Sequence, residues 1–140
     1  QMEYSILKRE PEKYVMPMAE KYGFGLLPWS PLAGGILTGK YRQQQTTPDD
    51  SRHAFKDWRE WAQGMERPYQ DAVLDVLAAV AAEKEATISQ VALAWTLRQK
   101  AVAATIIGPR TMAQYEDNFG ALAVEMSEAE YGRINEAAPV

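Results

Sequence analysis

Apolar and polar positions divide this chain into short blocks of alternating character. Gln1 to Leu7 alternates weakly around Tyr4 and Ile6, which predicts a strand. Glu12 to Tyr22 places Val15, Met18, Ala19 and Tyr22 at helical spacing, and Gly23 ends the run. Pro17 suits this helix if it starts near Met16, with the proline in its first turn. Phe24 to Trp29 predicts a second strand. Pro68 to Lys84 predicts a helix with Val73, Leu74, Leu77, Val80 and Ala81 on one face. Thr87 to Lys100 predicts another, capped by Thr87 or Ser89, with Val91, Ala92, Trp95 and Leu97 as its apolar surface. Ala103 to Ile107 predicts a third strand, closed by Gly108-Pro109. Thr111 opens a helix toward Leu122, and Ser127-Glu128-Ala129-Glu130 reads as the capping box of a last helix.

Residues 42–68 break the pattern. Gln43 to Asp50 is polar and turn-rich, and Trp58 and Trp61 follow on a short helix. An excursion of this length inside a compact domain is functional or mobile. A lid is expected in preference to a linker, because no change of composition marks a new domain beyond it.

The order of elements implies a parallel sheet covered by helices. Residues 1–140 then form one partial domain. Three parallel strands alone would leave both outer strands with unpaired backbone groups, a route to self-association. The same order fits an α/β arrangement of about three βα units at the C-terminal end of a (β/α)8 TIM barrel.

Composition narrows the partners. Apolar residues make up 46% of the 140, so the chain reads as globular. A net charge of -4 and a pI near 5.1 argue against a nucleic-acid partner, which needs a basic face. There is no cysteine, which excludes disulfides and thiolate metal sites and fits a cytoplasmic setting. No apolar run approaches the ~20 residues of a membrane span. The sequence opens on Gln1 in strand-like pattern, as expected of a piece whose upstream part is missing or trimmed.

Two segments carry candidate chemistry. Pro28-Trp29-Ser30-Pro31-Leu32-Ala33-Gly34-Gly35-Ile36-Leu37-Thr38-Gly39-Lys40-Tyr41 puts an aromatic, a hydroxyl, a small-residue turn and a lysine directly after an apolar run. That order suits a strand end that receives a flat ring and passes phosphates along backbone amides. Ile106-Ile107-Gly108-Pro109-Arg110-Thr111, continuing to Gln114 and Asn118, has the same strand-then-turn character. Arg110 stands at a helix start, where amides favour anions, and Gln114 and Asn118 follow at one-turn intervals on one face. Together the segments point to a nucleotide cofactor. His53, the only histidine, has no ligand-spaced partners, so no metal site is expected.

In family order and spacing, these motifs resemble the aldo-keto reductase superfamily over nearly the whole chain. Gln1-Met2-Glu3-Tyr4-Ser5 is similar to that family's sixth barrel strand. Trp29-Ser30-Pro31-Leu32-Ala33 with Leu37-Thr38-Gly39-Lys40-Tyr41 resembles the seventh strand and its cofactor loop. Val91-Ala92-Leu93-Ala94-Trp95 resembles the helix before the last strand, and Ile107-Gly108-Pro109-Arg110-Thr111 with Gln114 and Asn118 resembles the eighth strand and the adenosine-phosphate site.

The resemblance implies a TIM barrel that reduces small aldehydes or ketones with NADPH. Trp29 would stack on the nicotinamide, and Gln1 would either pair with its carboxamide or fray as a chain end. Ser30, Pro31, Leu32, Ala33 and Gly34 would wrap the pyrophosphate, with Lys40 either near the phosphates or merely solvated. Gly108 and Arg110 would meet the 2′-phosphate end, Gln114, Asp117 and Asn118 the adenine, and Arg52 would close over it. The family's catalytic aspartate, tyrosine, lysine and histidine lie in the barrel's first half, to which nothing here corresponds. Tyr4 matches a different motif and reads as structural. The chain alone is therefore expected to be inactive. The alternatives are a non-catalytic NADPH-binding subunit resembling potassium-channel beta subunits, or a truncated fragment without activity.

Overall fold

The computed structural model of this chain describes residues 1–42 and 54–140. Its helices begin and end where local chemistry directs. Helix α1, Pro11–Tyr22, has Pro11 in its first turn, where a missing N–H costs nothing. It stops at Gly23, which adopts φ 74° and donates its N–H to the Ala19 carbonyl. The start is earlier than the expected Met16, so Pro17 lies inside the helix. Pro17 and Lys13, whose carbonyl loses its donor, are both exposed, so the gap opens to solvent. The inward face also differs. Met16 and Ala19 are buried, whereas Met18 and Tyr22 are exposed.

Helix α2, Lys56–Gln63, carries Trp58 and Trp61 in edge-to-face contact, 5.5 Å between ring centroids. Helix α3, Gln70–Glu83, buries the expected Val73, Leu74, Leu77, Val80 and Ala81. Helix α4, Ile88–Leu97, is capped by Thr87 with Gln90 completing the box. Helix α5, Met112–Phe119, is capped by Thr111 and runs into a 3-10 turn, Gly120–Ala123. Helix α6, Glu128–Ala137, closes the described chain.

Among the described residues the sheet is small and parallel: β1, Met2–Glu3, pairs with β2, Pro28–Trp29, Met2 opposite Pro28 and Glu3 opposite Trp29. The first strand is shorter than Gln1–Leu7 because Ser5 and Lys8 bond each other across a tight turn. The second falls short of Phe24–Trp29, and the third segment forms only single bridges, Val102 with Leu26 and Ile106 with Trp29. Pro28 explains the break. Leu26 donates to Ala101 (2.8 Å) and accepts from Ala103 (2.9 Å), but the following rung has no N–H at residue 28. Ile106, not Thr105, then donates to the Pro28 carbonyl at 2.7 Å, one residue beyond regular spacing. Gly25 permits the approach, since a Cβ there would lie 2.8 Å from that of Ala103.

The core centres on Trp95, which is fully buried. Its indole stacks on Tyr4 (centroids 5.5 Å apart) and on Tyr131 (6.0 Å), with the Arg9 guanidinium 5.2 Å from the ring. Trp95 Nε1 donates to Asn135 Oδ1 at 3.1 Å. Arg9 forks onto Glu12, 2.8 Å to each oxygen, and donates to the Asn135 and Ala138 carbonyls. The cluster thus joins β1, α1, α4 and α6. Two helices instead show apolar stripes to solvent: Tyr14, Met18 and Tyr22 on α1, and Met112, Tyr115 and Phe119 on α5 with Leu122 beyond it.

The last helix depends on charge. Ser127 Oγ accepts the Glu130 N–H, and the Glu130 carboxylate accepts the Ser127 N–H (2.7 Å) and hydroxyl (2.8 Å). Lys84 Nζ lies 2.9 Å away. The Ser127 amide first, then Lys84 and the Ser127 hydroxyl, hold this carboxyl down to about 2 from its usual 4.5. A folded value below the unfolded one stabilises above the unfolded value and is lost as pH falls through the folded one. Wild type is therefore expected to exceed Glu130→Gln in urea midpoint at neutral pH, the gap narrowing below pH 4.5 and closing near 2. A gap independent of pH would show that the cap does not hold the carboxylate.

Candidate functional site

A cleft of about 450 Å3 opens where β2 and the third segment end. One wall is the end of β2 and the loop after it. There the backbone is left-handed at Ser30 (φ 53°), Ala33 (47°), Gly34 (65°), Gly35 (100°) and Gly39 (79°). For serine and alanine this conformation costs roughly 1–3 kcal/mol each and persists only when surroundings enforce it. Here the Ala33 N–H donates to Ser30 O, the Gly35 N–H to Leu32 O, both at 2.9 Å, and Thr38 Oγ1 to Gly35 O at 2.7 Å. Ala33, Ile36 and Leu37 are buried beneath. Turns of this kind can set backbone amides toward an anion, although the N–H groups of Ala33 and Gly35 are already bonded within the loop.

At one end of this loop, Trp29 presents a partly exposed indole to the cleft. At the other, Lys40 lies with Nζ 5.0 Å from the centre of the Tyr41 ring. The opposite wall runs from Ile106 to Arg110 and into α5. The Arg110 N–H donates to Gln114 Oε1 at 2.8 Å, and the Gln114 N–H to Thr111 Oγ1 at 3.2 Å, so this end is fixed by its own first turn.

The cleft brings together Trp29, Ser30, Pro31, Leu32, Gly34, Lys40, Gly108, Arg110, Gln114, Asp117 and Asn118. Two expected residues are not on its wall: Gln1 is exposed ahead of β1, and Ala33 supports the loop from below. Arg52 and His53 lie outside the described residues. Gly35, Thr38, Ile106, Ile107 and Pro109 join the lining from within the two motifs. Ser89 joins it from α4, and no local pattern marks it, because its place depends on α4 facing α5. Trp58 and Trp61 do not line the cleft.

Tyr4 is no proton donor here. Its hydroxyl donates to Glu12 Oε1 at 2.7 Å beneath Trp95, and burial, then that hydrogen bond, push its pKa far up. Among the described residues no cluster of histidine and carboxylate side chains could hold a metal, and no helix is long and apolar enough to cross a membrane.

A cleft with an indole and a small-residue loop on one wall and an arginine at a helix start on the other has the build of a small-molecule site in an α/β protein. The sequence profile of the Aldo/keto reductase family matches residues 1–139, and the chain belongs to that family. It is 30% identical over 140 residues to "Probable aldo-keto reductase 1" of Glycine max, covering all of this chain and 39% of that protein. It is 34% identical over 139 residues to "Uncharacterized oxidoreductase YrpG" of Bacillus subtilis (strain 168), covering 99% of this chain and 40% of that protein. The chain thus spans about two fifths of the length of these curated relatives.

Proposed function

We propose that this chain is the C-terminal, cofactor-holding part of an NADP-dependent aldo-keto reductase, about three βα units of a (β/α)8 barrel. The observation that carries this reading is that Trp29 and Arg110, 81 positions apart in sequence (110 minus 29), line one cleft, with the strained loop continuing the Trp29 wall. The residues fit such a cofactor. The Trp29 indole offers a flat face for a planar ring. The Ser30–Gly35 backbone and Lys40 suit a pyrophosphate. Arg110 suits a 2′-phosphate, and the Gln114 and Asn118 amides suit an adenine edge.

When bound, the nicotinamide supplies hydride for an aldehyde or ketone carbonyl. Trp29 would cover one ring face, and the loop and Arg110 would hold the dinucleotide along the cleft. The family's catalytic tetrad belongs to the barrel half that this chain does not match, so the chain alone binds without turning over. The exposed stripes of α1 and α5 support the barrel reading, since they suit the faces that neighbouring helices of a closed ring would cover. Isolated, the chain is expected to self-associate through them and its open strand edges.

Titrating the purified chain with NADPH, followed by tryptophan quenching, is expected to give saturable binding. Absorbance at the reduced nicotinamide band with a reactive aldehyde present is expected to stay flat. No saturable quenching refutes the cofactor site, and steady oxidation refutes the claim of inactivity.

A further inference from the structure

We infer that Gln90 is a positioning residue for the adenine end of this cleft, holding α5 in place through Asp117. The inference rests on the dinucleotide reading of the cleft. Helix α5 contributes Gln114, Asp117 and Asn118 to the wall, yet none of its residues is buried. Apolar packing of its own therefore does not fix where those three side chains stand. Its polar tie is to α4. Gln90 Nε2 donates to the Asp117 main-chain carbonyl at 2.9 Å and to Asp117 Oδ1 at 3.1 Å. Thr87 Oγ1 donates to Asp117 Oδ2 at 3.3 Å. Both carboxylate oxygens thus receive a bond from the first turn of α4.

The same glutamine closes the α4 cap, its Oε1 accepting the Thr87 N–H at 3.1 Å. A cap needs only that oxygen, and glutamate serves as well. The amide NH2 is what glutamate lacks, and here it reaches α5. The backbone after α5 makes room for it: a Cβ on Gly120 would overlap the Gln90 amide. One side chain therefore links the helix that bears Ser89 to the helix that bears the adenine-facing amides.

Two substitutions separate this tie from the cap. Gln90→Glu keeps the cap acceptor and replaces the donors to Asp117 with a repelling oxygen. Gln90→Leu removes the same donors without adding charge, and the cap acceptor with them, so Gln90→Glu is the variant that isolates the tie. Each variant is titrated calorimetrically with 2′,5′-ADP and with reduced nicotinamide mononucleotide, probes for the two ends of the cleft. Both variants are expected to bind 2′,5′-ADP about tenfold more weakly, equivalent to one lost hydrogen bond. The mononucleotide should change by less than about twofold, well under one such bond.

Unchanged 2′,5′-ADP binding in a folded variant overturns the inference. So does equal weakening of both probes, which is what general loosening would produce. If Gln90→Leu does not fold, Gln90→Glu decides alone. Wild type that binds neither probe removes the dinucleotide reading and this inference with it. Wild-type binding with indifferent variants removes only the inference.

Discussion

Trp95→Ala is expected to destabilise this chain by about 3–5 kcal/mol, a loss typical of a tryptophan removed from a packed core. Folded domains hold only about 5–15 kcal/mol in reserve, so this one change takes a large share. The cost has several sources at one position. The indole is fully buried between Tyr4 and Tyr131, so a cavity replaces two stacked contacts. Asn135 Oδ1 loses its donor, and the Arg9 guanidinium loses the ring beneath it. Arg9 bonds Glu12 and the carbonyls of Asn135 and Ala138, so the damage reaches the junction of α1 with α6. Trp95→Phe separates the contributions, keeping most of the stacking and losing the Nε1 bond. It is expected to cost about 1–3 kcal/mol, from the lost Nε1 bond to the half-buried Asn135 and the smaller ring. Urea unfolding followed by circular dichroism measures both. If Trp95→Ala costs no more than Trp95→Phe, the stack is not what holds these elements together.

What could be read from the sequence follows from how local each determinant is. The inward face of α3 is carried by residues three and four apart, and the α6 capping box by residues three apart, so both were legible. Helix α1 was legible as a helix but not in orientation. Tyr14, Val15, Met16, Met18, Ala19 and Tyr22 surround it with apolar side chains, and periodicity alone does not choose among such faces. The third segment reads as a continuous strand because its own residues favour one. Its pairing fails at Pro28, some 75 positions earlier in sequence (103 minus 28).

At the candidate site, Trp29 and Arg110 were legible because each lies in a compact run of telling residues. Ser89 and Gln90 were not. They sit in an ordinary capped helix start, and their relation to the cleft arises only when α4 packs beside α5. The strain at Ser30 and Ala33 was equally hidden, since neither residue type announces a left-handed backbone.

Arg110→Ala is expected to weaken NADPH binding about 10- to 100-fold, as hydrogen bonds to charged groups contribute roughly 1.5–3 kcal/mol. NADH binding should change by less than about threefold, below the 1.4 kcal/mol that a tenfold effect requires. The two cofactors differ only in the 2′-phosphate, so the contrast isolates that contact. A guanidinium keeps its charge at every working pH and meets phosphate with a planar fork. Arg110→Lys retains charge without the fork and should fall between the two. Lys40 supplies the control. It lies along the loop assigned to the pyrophosphate, which both cofactors share, so Lys40→Ala should weaken them alike. Equal loss of NADPH and NADH on removing Arg110 would place its guanidinium on a shared phosphate and leave the proposed preference for NADPH without a source in this chain.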